Sequence, residues 1–422
     1  MPPESLVIFR NVALSDQDTS LQTSSVGEPS VANNGQQIYM TGNWYATKSL
    51  DNAASWEYVS PFTTLPSAAN GFCCDQLCLY DRSRDLFFWV LQYIRDANNQ
   101  NVFRLAVKQG ASLQNNSWYW WDFSVQGLNN QWAGLWFDYP DLALSDNYLW
   151  ATFNVFNGAG IWQRAVVFKW PLDTLAAAGT LIYSWWSTTD NGSLRLSQGA
   201  GNTMYWLSHN SLSQLRLFRW EDAGNNISNW DINVNAWTAG AYNAPGPDNA
   251  NWLGRCDSRI TGAWVGDNVI GAMWTANAQG SRPNPHVRVV RIDEASKAVI
   301  DQPDIWSTVT AWAYPAAGAN DRGDVGITLF YGGGNYHPTH CVGIRDAYAP
   351  LSLAATRAST NGPAGGAWGD YLTCRRHSPD GLTWTASGYT MQGGNQRANV
   401  EPLYAHFGRE RDQRAVNRWL GC

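Results

Sequence analysis

The stretch "FDYPDLALSDNYLWATFNVF" (Phe137–Phe156) holds two apolar runs separated by the turn pair Asp146-Asn147. An apolar run, an Asn/Asp/Gly turn and a second run rich in aromatic and β-branched residues read as a β-hairpin. A polar cluster, Asp138-Tyr139-Pro140-Asp141, leads into it. The same order of polar lead, strand, turn and strand returns along the chain. It opens at Glu28, Phe72, Phe137, Leu194, Cys256, Asn320 and Trp368, with spacings of 44, 65, 57, 62, 64 and 48 residues. Units of about 45–60 residues that each hold four strands are the blades of a β-propeller. The spacing predicts an all-β fold, a seven-bladed propeller of four-stranded antiparallel blades around a central channel. Six blades, with one unit miscounted, is the alternative. One domain then spans 1–422, with 1–27 as N-terminal segment or closing strand and 408–422 as a C-terminal tail.

Composition agrees with this reading. Only 15% of the 422 residues are charged, while 44% are hydrophobic and 25 are Trp. Soluble domains usually carry about 25% charge, so polarity here rests on Asn, Ser, Thr, Gln and Gly. Good helix formers are scarce, and Lys48 is the only lysine in the first hundred residues. A net charge of −6 without a basic stripe argues against nucleic acid as partner. No apolar run approaches the ~20 residues that span a bilayer. The N-terminus lacks a basic segment followed by an apolar one. The Trp-rich, Lys-poor make-up is similar to that of secreted carbohydrate-handling proteins. A secreted or periplasmic location, with any signal already removed, is the expectation.

Two short motifs add a resemblance. "SLDNAASW" (Ser49–Trp56) has the spacing Ser-x-Asp-x-Gly-x-Thr-Trp, with Ala53 for Gly and Ser55 for Thr. "SPDGLTW" (Ser378–Trp384) is one residue shorter. In such a box the Asp carboxylate accepts hydrogen bonds from loop N–H groups and the Trp packs between blades. On these boxes the chain resembles the sialidase-like, Asp-box (BNR-repeat) propeller superfamily. The resemblance implies an architecture and no reaction. Sialidase activity would need an arginine triad, a Tyr/Glu pair and an Asp acid. "FRNV" around Arg10 is the nearest match to the family's Arg-Ile-Pro signature, and no complete triad is present.

In a propeller the innermost strands line the channel, and their leads converge on one mouth. Those leads hold Glu28, then Asp75 and Gln76, then Asp138, Tyr139 and Asp141, then Ser197 and Gln198. They continue with Asp257 and Arg259, with Asp321, Arg322 and Asp324, and with Asp370 and Tyr371. Carboxylates gathered around one axis must be paired, protonated or bound to a cation. Arg259 and Arg322 are candidate partners. A Ca2+ ion on oxygen ligands such as Asp321, Asp324 and Asp370 is another. Two chemistries fit. A carboxyl pair serves glycoside hydrolysis. Alternatively, an arginine neutralises a uronate while Tyr139, Tyr371 or a His removes the adjacent proton, as in a polysaccharide lyase. The candidate catalytic set is therefore Asp75, Asp138, Tyr139, Asp257, Arg259, Arg322 and Tyr371, acting on a glycan or polysaccharide. A non-catalytic propeller that binds glycan or protein is the alternative.

Gln76, Trp132, Trp136, His337 and His377 complete the candidate binding set. Trp132 and Trp136 stand among Asn and Gln just before a channel lead, where an exposed ring would stack on a sugar face. His337 and His340 form an H-x-x-H pair after a Gly run, a loop reading with too few further ligands for zinc. His377 follows an expected inner strand and points into the channel or into the sheet. The seven cysteines include the neighbours Cys73 and Cys74, directly before Asp75. Extended neighbours face opposite ways, so a bond between them requires a turn. A vicinal disulfide, a longer-range bridge and free buried thiols all stay open.

Overall fold

Seven antiparallel sheets of four strands each form a ring in the computed structural model, which describes residues 5–14 and 23–412. The chain is a seven-bladed β-propeller. The innermost strands of blades I–VII are Ser30–Asn33, Phe72–Asp81, Leu135–Leu144, Arg195–Leu196, Ile260–Gly266, Ala311–Ala319 and Thr373–Arg376. Four of the seven expected openings lie within two residues of an inner strand's start, and Cys256 precedes its strand by four. Trp368 precedes its strand by five residues. Asn320 instead follows the inner strand of blade VI.

Each second strand carries at least one fully buried aromatic side chain, among them Tyr39, Trp89, Trp150, Trp206, Trp274, Phe330 and Trp384. These rings fill the wedges between neighbouring blades, which explains the high Trp content. Losing one such ring to Ala typically costs about 3–5 kcal/mol. The ring is closed by the N-terminal strand Leu6–Ala13. It pairs with Val400–Arg409 as the outermost strand of blade VII, from Leu6 opposite Arg409 to Ala13 opposite Leu403. Val400–Arg409 therefore reaches two residues into the expected tail. Residues 413–422, with most of the expected C-terminal tail and Cys422, lie outside the described residues.

Inner strands begin at one end of the channel, called upper here, and their turns into the second strands lie at the lower end. Long connections gather at the upper end: 94–101, 234–259, 302–310 and 359–372. The lower end has tight turns such as 82–85 and 267–268. Both box motifs form lower turns. Asp51 accepts hydrogen bonds from Ser55 N–H at 2.8 Å and Ser55 Oγ at 2.6 Å. Asp380 accepts from Leu382 N–H at 2.7 Å and Thr383 N–H at 2.9 Å. The first joins the third and fourth strands of its blade and the second joins the first and second strands, so they are not copies of one repeat position. Arg10 lies on the outermost strand, away from the channel. Among the described residues no helix is long and apolar enough to cross a membrane.

Candidate active site

Three inner strands enter the channel through the same local device. Glu28, Tyr139 and Tyr314 have positive φ values of 45°, 53° and 55°, and each precedes a proline. Proline has no N–H to continue a ladder, and a left-handed backbone at a non-glycine residue costs about 1–3 kcal/mol. In blades III and VI the ladder breaks here, between Asp138 and Asp141 and between Ala313 and Ala316. In blade II the break lies between Phe72 and Gln76 and frees Cys73, Cys74 and Asp75 from pairing. Cys73 and Cys74 are joined by a disulfide within this bulge. Bulges of this kind re-aim side chains. Here they turn carboxylates toward the channel.

The upper mouth brings together Glu28, Asp75, Asp138, Tyr139, Asp257, Arg259, Asp370 and Tyr371. Glu28 and Asp75 are buried and hydrogen-bonded to each other. Burial raises the Glu28 carboxyl well above its usual range, and the nearby charges of Asp75, Asp370 and Asp138 add to this. Asp75 is pushed up to about 7, by burial first and then by Asp138, with Glu28's hydrogen bond and Arg259 acting against the rise. Asp138 is raised by burial, partly offset by the hydrogen bond that Gln92 Nε2 donates to its Oδ1 at 3.0 Å. Asn101 clamps the preceding residue, donating to the Phe137 carbonyl at 2.9 Å and accepting from its N–H at 2.8 Å.

Arg259 is the cation of this group. It lies 2.5 Å from Asp257 and 3.4 Å from Asp370, which also meets Arg255 at 3.4 Å. Its guanidinium covers the ring of Tyr139 at 4.1 Å, and Tyr139 meets Tyr371 edge-on at 6.2 Å. Burial pushes the Tyr139 phenol up to about 12 and holds Tyr371 well above its ordinary value. Buried atoms at this mouth without a hydrogen-bond partner include Glu28 Oε2, Gln92 Oε1 and the hydroxyls of Tyr139 and Tyr371.

Other expected residues lie elsewhere. Asp321, Arg322 and Asp324 sit in the lower turn after the blade VI inner strand. Asp321 pairs there with Arg82 at 2.6 Å and with Arg376. Arg322 is gripped by Asp412 at 2.9 and 2.7 Å and by Asp324 at 2.9 Å. They are separated from Asp370 by the length of the channel and do not form a Ca2+ site with it. Gln76 donates to the Gly42 and Tyr45 carbonyls at 2.7 and 2.9 Å and accepts from Trp89 Nε1 at 2.8 Å. It ties blade I to blade II and offers nothing to a ligand.

Trp132 is buried between Trp185, at 5.4 Å, and Arg164, at 4.0 Å. Trp136 donates to the Asn157 carbonyl at 2.8 Å and is covered by Arg95 at 4.5 Å. Neither is an open platform. His337 approaches Asp248 at 3.8 Å beside blade VI, while His340 is buried between Thr328 and Thr356, each at 2.6 Å. His377 lies at the lower end, 2.5 Å from Asp380 and stacked on His406 at 3.9 Å. Among the described residues, His377, Asp380 and His406 are the only three such groups whose ligand atoms lie within 4.8 Å of one another. The upper carboxylates do not converge that closely. Glu28, expected as a channel lead though in neither candidate set, is at this mouth, and Gln92 and Arg255, which belong to no lead, border it through Asp138 and Asp370. The repeated aromatic-or-acidic residue before Pro29, Pro140 and Pro315 is the signal that locates the mouth.

No family model and no curated protein matches the sequence. Solved structures with a similar chain path include a polysaccharide lyase, with 10% identity, TM-score 0.48, and coverage of 95% of this chain and 99% of that one. The α-L-arabinofuranosidase from Fusarium graminearum shows 9% identity, TM-score 0.41, and coverage of 95% and 98%. The α-L-arabinanase from Penicillium chrysogenum shows 9% identity, TM-score 0.41, and coverage of 96% and 98%. At this identity the likeness is one of chain architecture.

Proposed function

We propose that the upper mouth is the active site of a carbohydrate-active enzyme, a glycoside hydrolase acting on a polysaccharide. The buried, hydrogen-bonded Glu28–Asp75 pair beside Asp138 carries this reading. Hydrolysis of a glycosidic bond needs one carboxyl that holds a proton and another that is ionised. Two buried acids in contact share one proton near neutral pH, because ionising both would set like charges together. Glu28 is the proton donor to the leaving oxygen. Asp75 shares the Glu28 proton, and Asp138 supplies the separate carboxylate that faces the sugar or its attacking water. The unpartnered Glu28 Oε2 and the two tyrosine hydroxyls suit a ligand rich in hydroxyl groups.

Elimination is less well supported. Tyr139 and Tyr371 are held protonated, which makes them poor bases. Arg259 is already engaged by Asp257 and Asp370, leaving little of its fork for a uronate.

The test is a panel of neutral and uronate-containing polysaccharides. Reducing-end release is expected from the native protein, falling at least about 100-fold in Asp75→Asn and Glu28→Gln. Ultraviolet absorbance from unsaturated uronates would replace hydrolysis with the lyase reading. No reaction, with a melting temperature raised by soluble glycan, would leave a binding protein. A Ca2+ ion is the other occupant that could hold these acids together. Activity that survives chelation supports the shared proton, and loss restored by Ca2+ supports the ion.

A further inference from the structure

Midway along the channel two arginines are buried against one carboxylate. Arg195, Arg375 and Asp141 are 6%, 7% and 2% exposed. Asp141 lies 3.3 Å from Arg195, and its other oxygen accepts the Leu196 N–H at 2.8 Å. Arg375 donates only to neutral acceptors: Ser30 Oγ at 3.1 Å, the Val31 carbonyl at 3.0 Å and the Cys78 carbonyl. The Nε atoms of both arginines are buried without a partner. The nearby thiols add no negative charge at neutral pH, since burial pushes Cys78 up to about 11 and raises Cys374 as well. One positive charge is therefore left over in a desolvated part of the molecule, an arrangement that proteins rarely leave unpaired.

Below Arg375 the channel opens into a cavity of about 160 Å3, lined also by Asn33 and Gln198, with Arg82, Arg376 and Asp146 at its rim. The rim is nearer to balance. Arg82 and Arg376 share Asp321, and Arg84 pairs with Asp81 at 3.3 Å. The cavity is small beside the roughly 300–1,000 Å3 of sites for larger organic ligands. It accommodates a halide or a tetrahedral oxyanion.

We propose that this cavity is a binding site for a small inorganic anion, held by Arg375 with Arg195 behind it. The guanidinium fork is suited to oxyanions. The site lies in the lower half of the channel, apart from the acidic upper mouth, and its occupancy does not depend on what that mouth does.

Chloride, phosphate and sulfate are titrated separately into the full chain in gluconate buffer at constant ionic strength, followed by calorimetry and by melting temperature. One-to-one, saturable binding of at least one anion is expected, weakened at least tenfold in Arg375→Gln. If that variant does not fold, crystals of the native protein soaked in bromide decide the matter. An anomalous peak beside Arg375 supports the site, and its absence there overturns it. The proposal also fails if none of the three anions gives a saturable signal, or if Arg375→Gln binds as the native protein does.

Discussion

Asp75 faces the channel while Gln76 faces the seam between blades I and II, as consecutive residues of an extended chain must. The alternation that turns Asp75 inward thus already assigned Gln76 to the packing. Gln76→Ala would strand Trp89 Nε1 and the Gly42 and Tyr45 carbonyls, with an expected loss of about 1–3 kcal/mol in chemical denaturation. Asp75→Asn has a different signature. A carboxyl raised from 3.8 to about 7 keeps its proton in the folded state over a range where the unfolded chain has lost it. Its contribution is full below the unfolded value and is lost as the pH rises toward 7. Asp75→Asn should therefore melt higher relative to the native protein at pH 8 than at pH 4. Equal differences at both values would refute the raised carboxyl. Trp132 and Trp136 were not readable as core from local sequence, because their covers, Arg164 and Arg95, come from other strands.

At the scale of the element, seven blades were legible because each repeats a polar lead, a hairpin and a buried aromatic. Blade VI shows where that legibility ended. Its inner strand, Ala311–Ala319, is rich in Ala, which has low strand propensity, so the polar Asn320–Asp324 turn resembled the lead of the next strand. The small residues have a packing reason: a Cβ on Gly318 would stand 2.7 Å from the Cys374 carbonyl of blade VII. One strand of error moved Asp321, Arg322 and Asp324 from the lower end to the upper. The "AYP" of Ala313–Pro315, matching "DYP" of Asp138–Pro140, marks the correct register. Arg322→Ala removes the pairs with Asp412 and Asp324 and should lower stability by about 1 kcal/mol in a denaturant titration. Any hydrolysis at the upper mouth should be unchanged. A drop in turnover at full folding would contradict the placement of Arg322.

The whole molecule is polarised along its channel, with acids above, arginines midway and tight turns below, and it is held shut by one strand. Without Leu6–Ala13 the ten-residue strand Val400–Arg409 becomes a free edge, a template for pairing with other chains. A chain lacking residues 1–13 should aggregate or lose its single cooperative melting transition, and a monomer with the native transition would show that closure is dispensable. Leu6 lies opposite Arg409 in that antiparallel pair. Handles attached at these two positions and drawn apart would load the seam at its tip. Each bond would carry the whole load in turn, as the teeth of a zipper do, instead of all resisting together in shear. In single-molecule stretching the ring should thus part at its seam first, at low force and ahead of any other blade, however high its melting temperature.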